Sequence, residues 1–207
     1  MEKKIFRVKK NCRLCKSKNL KMSFDLGMNP IGDNYTVKKN KSLLMPLAIT
    51  SCVRCGFKQL SIVVNEDKVY GKYLYTTSTS KGLKEHFKKS FKILKQKFKL
   101  KKSDFILDIG SNDGSNLEIF KNEGYNVLGI EPANGLCKIA RDKKIETLNN
   151  FFNKQIVNKI IKKKIYPKLI CIYNLMANVD NLDEFILNVK KLMNQDTVVA
   201  VETFSLS

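Results

Sequence analysis

Apolar positions divide the chain into three textures. From about residue 103 short apolar runs alternate with amphipathic stretches. Phe105-Ile106-Leu107-Asp108-Ile109 reads as a buried strand ended by the turn Gly110-Ser111-Asn112-Asp113-Gly114, followed by a helix through Phe120. The strand Asn126–Ile130 ends at Glu131-Pro132. A helix near 135–142, a minimal strand near 145–148 and a helix near 153–164 come next. Lys168–Tyr173 is a further strand, Leu182–Met193 a helix, and Thr197–Val201 a fifth strand. Strand-helix alternation with nearly all-apolar strands predicts an α/β fold, its parallel sheet covered on both faces.

Residues 81–100 carry Leu83, Phe87, Phe91, Leu94 and Phe98 at spacings of four, four, three and four. That is one apolar stripe of a helix, read here as a linking helix packed on a neighbour. Residues 1 to about 70 hold only short apolar runs, with turn residues at Gly27, Asn29, Pro30, Gly32, Asp33 and Asn34. Such a segment needs a staple. The expected organisation is therefore a small domain over 1–70, a linking segment and helix over 71–102, and a sheet domain over 103–207.

Cysteine spacing supplies the staple. Cys12-Arg-Leu-Cys15 and Cys52-Val-Arg-Cys55 are two C-x-x-C pairs with 36 residues between them. Each turn brings two thiolates to one point, and two turns complete a closed, structural Zn²⁺ site. Disulfides are disfavoured because nothing indicates secretion, and a redox pair explains one C-x-x-C but not two. Cys137 and Cys171, in a predicted helix and strand, read as core thiols.

The turn after the first sheet strand lies where open α/β sheets bind ligands. Gly110 and Gly114 permit positive φ and close ligand approach, and Asn112 is the non-glycine residue that best tolerates the left-handed region. A dinucleotide fingerprint wants glycine at 110, 112 and 115; the chain offers Gly110, Asn112 and Ser115, and no G-K-[ST] ending makes a phosphate loop. Glu131, 23 residues after Asp108, is placed to accept both ribose hydroxyls of an adenosine. An acidic residue opening the loop suits a cationic, phosphate-free ligand, and S-adenosylmethionine (SAM) fits.

Charge changes this picture little. The chain has 207 residues, 39 Lys+Arg, 19 Asp+Glu and a formal charge of +20. Nucleic acid is the obvious partner for such a charge. Yet the basic residues are lysine apart from Arg7, Arg13, Arg54 and Arg141, and readers of phosphate and base edges favour the arginine fork. A solvated lysine surface is the plainer reading. A hydrophobic fraction of 43% excludes a wholly disordered chain. No apolar run approaches the roughly 20 residues of a membrane span, so a soluble, cytoplasmic protein with no membrane partner is expected.

Read together, the motifs resemble the zinc-containing, SAM-dependent C-methyltransferases of nucleotide-linked deoxysugars, which act typically at C3 of a 4-keto sugar. The resemblance runs through Cys12–Cys15, Asp25-Leu-Gly27, Asn29-Pro30, Pro46-Leu47 and Cys52-Val-Arg-Cys55-Gly56-Phe-Lys-Gln59-Leu60. It continues through Tyr73-Leu-Tyr75-Thr-Thr-Ser78-Thr-Ser80, His86, Leu107–Gly114 and Gly129-Ile-Glu131-Pro132-Ala133. It implies a Rossmann-like class I methyltransferase sheet with five visible parallel strands behind a zinc-binding domain. Cys12, Cys15, Cys52 and Cys55 would hold zinc. Asp108, Gly110, Ser111, Asn112, Asp113, Gly114, Glu131 and Pro132 would form the SAM site, with Asn174 beside the methionine moiety.

Tyr75, Ser78, Ser80 and His86 match an aromatic-Ser-His stretch that lies near cofactor and sugar. Tyr75 and His86 are thereby candidate catalytic residues, and Ser78 and Ser80 candidate cofactor contacts. Two departures bear on activity. Where the family usually reads N-x-x-A-H, this chain has Asn174-Leu-Met-Ala177-Asn178, and Asn178 cannot take a proton as histidine can. The sequence also stops at Ser207, before the family's Glu-, His- and Tyr-rich acid/base motif, and its fifth strand would be an uncovered apolar edge. A piece, or a naturally shortened version, of a longer enzyme is expected, with the missing C-terminal portion or a second chain as a candidate partner. Two other readings stay open: a zinc-ribbon module that binds or methylates RNA, and a non-catalytic SAM-binding remnant.

Overall fold

A computed structural model describes residues 5–32, 43–71, 73–164 and 166–204. The turn residues Asp33 and Asn34, and Ser207, lie outside this set. The chain divides into two compact units, Met1–Tyr73 with Asp180–Leu182, and Leu74–Val179 with Asp183–Ser207.

The first unit is built of short strands. β1 (Phe6–Val8) pairs antiparallel with β5 (Ile62–Val64). β2 (Leu20–Pro30), β3 (Leu44–Cys52) and β4 (Lys58–Leu60) form an antiparallel sheet in that order, and a short helix α1 (Glu66–Tyr70) follows. Register slips in β2 between Met22 and Phe24 and between Asp25 and Met28. At the second slip Gly27 adopts φ +73°, and its amide donates to Asp25 Oδ1 at 2.9 Å. That turn needs glycine's conformational freedom. Among the described residues of this unit few apolar side chains are buried: Met45, Ala48 and Ile62, beside Cys12 and Cys52.

The second unit carries a parallel sheet of β6 (Phe105–Ile109), β7 (Asn126–Glu131), β8 (Thr147–Asn149), β9 (Leu169–Tyr173) and β10 (Val198–Glu202). The strand order is β10-β9-β6-β7-β8. All four pairings are parallel. Five helices accompany the sheet: α2 (Lys81–Lys97), α3 (Ser115–Asn122), α4 (Asn134–Asp142), α5 (Lys154–Lys162) and α6 (Leu182–Leu192). Alternate residues of each strand feed two cores. Leu107, Ile109, Ile170 and Ile172 pack with Val157 and Ile160 of α5 and Val189 and Leu192 of α6. Ile106, Leu169 and Cys171 pack with Leu117 and Phe120 of α3, Ala140 of α4, and Phe91 and Leu94 of α2. Two-sided burial is why these strands read as unbroken apolar runs.

The predicted elements match these to within a few residues. Helix α2 belongs to this unit, its stripe forming part of the sheet's cover. Phe91 meets Phe120 edge-on at 5.0 Å and Tyr125 at 6.0 Å. Among the described residues no helix is long and apolar enough to cross a membrane.

Phe91→Ala removes the centre of this aromatic cluster. Truncating a buried phenylalanine costs about 3–5 kcal/mol, so the urea midpoint of the sheet unit should fall by that equivalent. A loss below about 1 kcal/mol would mean that α2 is not part of this core.

Candidate functional site

The four cysteines of the C-x-x-C pairs converge. Their sulfurs all lie within 4.8 Å of one another, with Cys12 to Cys55 at 3.7 Å and Cys15 to Cys52 at 3.5 Å. Tetrahedral Zn–S bonds of about 2.3 Å place sulfurs about 3.8 Å apart, so the cluster fits the ion. The two knuckles are built alike. The Lys16 amide donates to Cys12 O and the Gly56 amide to Cys52 O, while the Cys12 and Cys52 amides donate to Ser17 O and Phe57 O. Lys16 and Gly56, one residue past the second cysteine of each pair, both take positive φ. Against burial, amide and thiol hydrogen bonds draw Cys52 down, while at Cys55 the Phe57 amide is outweighed by burial and the neighbouring sulfurs, which push the thiol up. Buried Gln59 pins the first knuckle to β4, accepting from the Arg13 amide at 2.7 Å and donating to Asn11 O at 3.1 Å.

The second candidate lies at the carboxyl edge of the sheet, where β6 is followed on one side by β7 and on the other by β9. This is the switch point of the strand order. Gly110, Asn112 and Gly114 have φ of +78°, +50° and +75°, so the left-handed backbone expected at Asn112 is present. The Gly110 and Ser111 amides donate to Ile130 O, at 2.8 and 3.1 Å. Glu131, buried at the end of β7, accepts from the Asn112 amide on Oε2 at 3.0 Å and from the Ala133 amide on Oε1 at 2.9 Å. Each oxygen keeps a lone pair, the capacity two ribose hydroxyls require. Burial outweighs the two amides and raises the Glu131 carboxyl above its ordinary range.

A second segment closes on this loop. Asn112 Nδ2 donates to Tyr75 O at 3.0 Å, and the Thr77 amide donates to Asn112 Oδ1 at 3.0 Å. The Ser78 amide donates to Asp113 Oδ2 at 2.8 Å. A 3-10 turn, Thr77–Thr79, thus sits over the loop, and Ser80 caps α2 by accepting from the Leu83 amide. Burial raises Asp113, but hydrogen bonds from Ser78 and Ser115 and the Lys143 ammonium prevail and hold it low.

Several residues expected to contact the cofactor direct their side chains to other parts of the protein. Asp108, Ser111 and Asp113 turn buried side chains into the protein, leaving main chain to a ligand. Ser111 Oγ lies 2.4 Å from where a Cβ on Gly129 would stand, so the loop's seat on β7 requires glycine there. Asp108 accepts from Asn116 Nδ2 at 3.0 Å, and burial, with the Glu131 charge, lifts it to about 7. Pro132 O accepts from Asn149 Nδ2. Cys137 and Cys171 are fully buried, as their elements implied.

Asn174 follows β9 with φ +53°. Its amide donates to Glu202 O at 2.8 Å, and its Nδ2 donates to Glu202 Oε1 at 3.1 Å. Asn178 Nδ2 donates to Asn174 O at 3.3 Å, closing that turn. His86 Nε2 hydrogen-bonds Glu202 Oε2. Glu202 is the residue sequence reasoning missed. Its signal was available: an acid at the carboxyl end of the last strand, the ligand-binding edge of such sheets.

A family model described as "Methyltransferase domain" matches residues 84–207. The chain belongs to that family. A second model, described as "Putative zinc binding domain", matches residues 12–70. C-methyltransferase NovU of Streptomyces niveus is 26% identical over 194 residues, 92% of this chain and 46% of the relative. The chain thus spans about half the length of the curated relative it matches. Among solved structures, PH0226 of Pyrococcus horikoshii OT3 is similar at a TM-score of 0.50 and 13% identity, covering 64% of this chain and 59% of that one. A SAM-dependent methyltransferase from Archaeoglobus fulgidus gives 0.48 and 19%, covering 67% and 56%. Fold and family agree: the sheet unit is a methyltransferase domain built on a Rossmann-like parallel sheet, and the four cysteines lie in the segment that matches the zinc-binding model.

The buried carboxyl beneath the loop generates a pH prediction. With a folded value of about 7 against about 4 unfolded, the native state binds the extra proton between these limits. Asp108 therefore stabilises the fold least at high pH, its contribution falling as pH rises from about 4 to about 7. Asp108→Asn keeps an acceptor for Asn116. It should be more stable than the wild type at pH 8 by up to about 4 kcal/mol, a gap closing towards pH 4. Parallel stability curves across that range would refute this.

Proposed function

We propose that this methyltransferase domain serves C-methylation of a nucleotide-linked 4-keto deoxysugar, with SAM bound at the carboxyl edge of the sheet. The observation that carries the reading is the joined loop and carboxylate: a left-handed Gly110–Gly114 turn whose Asn112 amide is fixed by Glu131. In this reading Glu131 takes the ribose hydroxyls, the Gly110–Gly114 main chain lies along the cofactor, and Asn174 stands beside its methionine end. SAM supplies, when bound, a methyl carbon made electrophilic by the neighbouring sulfonium. What remains to the chain is to bind both partners in line, remove a proton from the carbon next to the ketone and steady the enolate oxygen. Tyr75, its main chain tied to Asn112, and Asn178, behind Asn174, are the further polar side chains at this edge.

The C-methyltransferase relative supports carbon as the methylated atom, and the motif resemblance supports the sugar. The basic surface supports an anionic nucleotide sugar better than a nucleic acid. Two of the few arginines are engaged inside the fold: Arg141 donates through Nε and Nη2 to Thr147 O, and Arg13 stacks over the Phe57 ring at 5.4 Å.

Calorimetry tests the reading. The zinc-loaded chain should bind SAM with micromolar or weaker affinity, and Glu131→Ala should weaken binding by about tenfold or more, the loss of a charge-assisted pair of hydrogen bonds. A folded, zinc-containing chain that gives no heat with SAM would identify a non-catalytic remnant and refute the proposal.

A further inference from the structure

We propose that His86 is a proton acceptor of this domain and that Glu202 is its positioning residue, an inference that rests on the C-methylation reading above. Three elements converge on one carboxylate. Glu202, at the end of β10, accepts from His86 Nε2 of α2 on Oε2 and from Asn174 Nδ2 on Oε1. Its main-chain carbonyl also accepts the Asn174 amide at 2.8 Å, so the carboxylate is held at both ends.

The chemistry of the pair follows from what each atom can do. A carboxylate oxygen only accepts, so the hydrogen of the neutral imidazole resides on Nε2, and Nδ1 keeps the lone pair. An imidazole so fixed presents the Nδ1 lone pair to a proton donor, and the ring keeps its Nε2 hydrogen bond to the carboxylate after the transfer. The ring is reachable, with 48% of the His86 side chain exposed against 32% for Glu202.

Position fits as well. Asn174 occupies the carboxyl edge one strand from the Gly110 loop, and Leu175, its neighbour in sequence, stands 3.3 Å from where a Cβ on Gly110 would be. The pair is thus one short turn away from the surface assigned to the methionine end of the cofactor. The step is a proton transfer. The C–H bond next to the ketone breaks, its proton passes to Nδ1 and its electron pair moves onto the keto oxygen as an enolate.

His86 is the single histidine of the chain, so its ring is read without ambiguity. Nitrogen-15 shifts of the neutral ring should report the Nε2–H form in the unaltered chain and a mixture of tautomers in Glu202→Ala. Deuterium exchange then tests the chemistry. In D2O without SAM, the unaltered chain should exchange the proton next to the ketone of a nucleotide-linked 4-keto-6-deoxyhexose. Glu202→Gln should slow this by about tenfold or more, with Glu202→Asp intermediate and His86→Asn inactive.

A ring in the Nδ1–H form, no exchange by the unaltered chain, or exchange by Glu202→Gln at the unaltered rate each overturns the assignment. Should Glu202→Gln fail to fold, the Glu202→Asp rate and the tautomer of the unaltered chain still decide. Failure of the chain to bind SAM is read separately by calorimetry and overturns the C-methylation reading instead.

Discussion

Much of the sheet unit's chemistry depends on one buried carboxylate. Glu131 holds the Asn112 amide with one oxygen and the Ala133 amide with the other, joining the turn after β6 to the turn after β7. Burying a charged acceptor is unfavourable unless donors meet it. The two amides meet it, and in doing so they fix the backbone of the Gly110–Gly114 turn. The constraint propagates outwards. Asn112, fixed by its amide, uses its side chain to hold Tyr75 and Thr77, and Asp113 holds Ser78. Below, the loop fits against β7 only because Gly129 has no side chain to meet Ser111. Loop, strand end and covering turn form one interlocked piece.

The zinc module solves the opposite problem. The sheet unit has two apolar cores and needs no staple. The first unit has an eleven-residue strand, β2, that buries almost nothing. So little apolar burial supplies too little stabilisation to order such a segment by itself. Four thiolates around one ion replace the missing core, and the hydrogen bonds of Gln59 tie the first knuckle to the sheet that carries the second. Binding free energy of the metal becomes folding free energy in such a unit.

The sheet was legible because two-sided burial writes itself as apolar runs, and the punctuating turns carry glycine, asparagine and proline. The metal cluster was legible because C-x-x-C spacing is a chemical requirement. What could not be read was division of labour among polar residues. Asp113 and Ser80 look alike as candidate ligand contacts, yet one anchors the covering turn and the other caps a helix. Those duties depend on partners about thirty residues away or on capping geometry, which composition does not encode. Helix α2 had a legible stripe but no legible destination, since its partners Phe120 and Tyr125 belong to a later segment. Glu202 escaped because it seemed only the end of a strand, while its role comes from His86, 116 residues earlier.

That long-range pair is hard to explain by stability. A side-chain hydrogen bond as exposed as that between His86 and Glu202 contributes at most about 1 kcal/mol, and orienting two side chains costs rotamer entropy of similar size. Folding gains little from holding it, and the second hydrogen bond from Asn174 adds order rather than apolar burial. An arrangement that contributes little to the fold but fixes a ring, its hydrogen and its carboxylate is one whose benefit falls elsewhere. At the ligand-binding edge of a parallel sheet, that benefit is a nitrogen lone pair of known position. Whatever passes a proton there meets a base already oriented, so the reorganisation is complete before the substrate arrives.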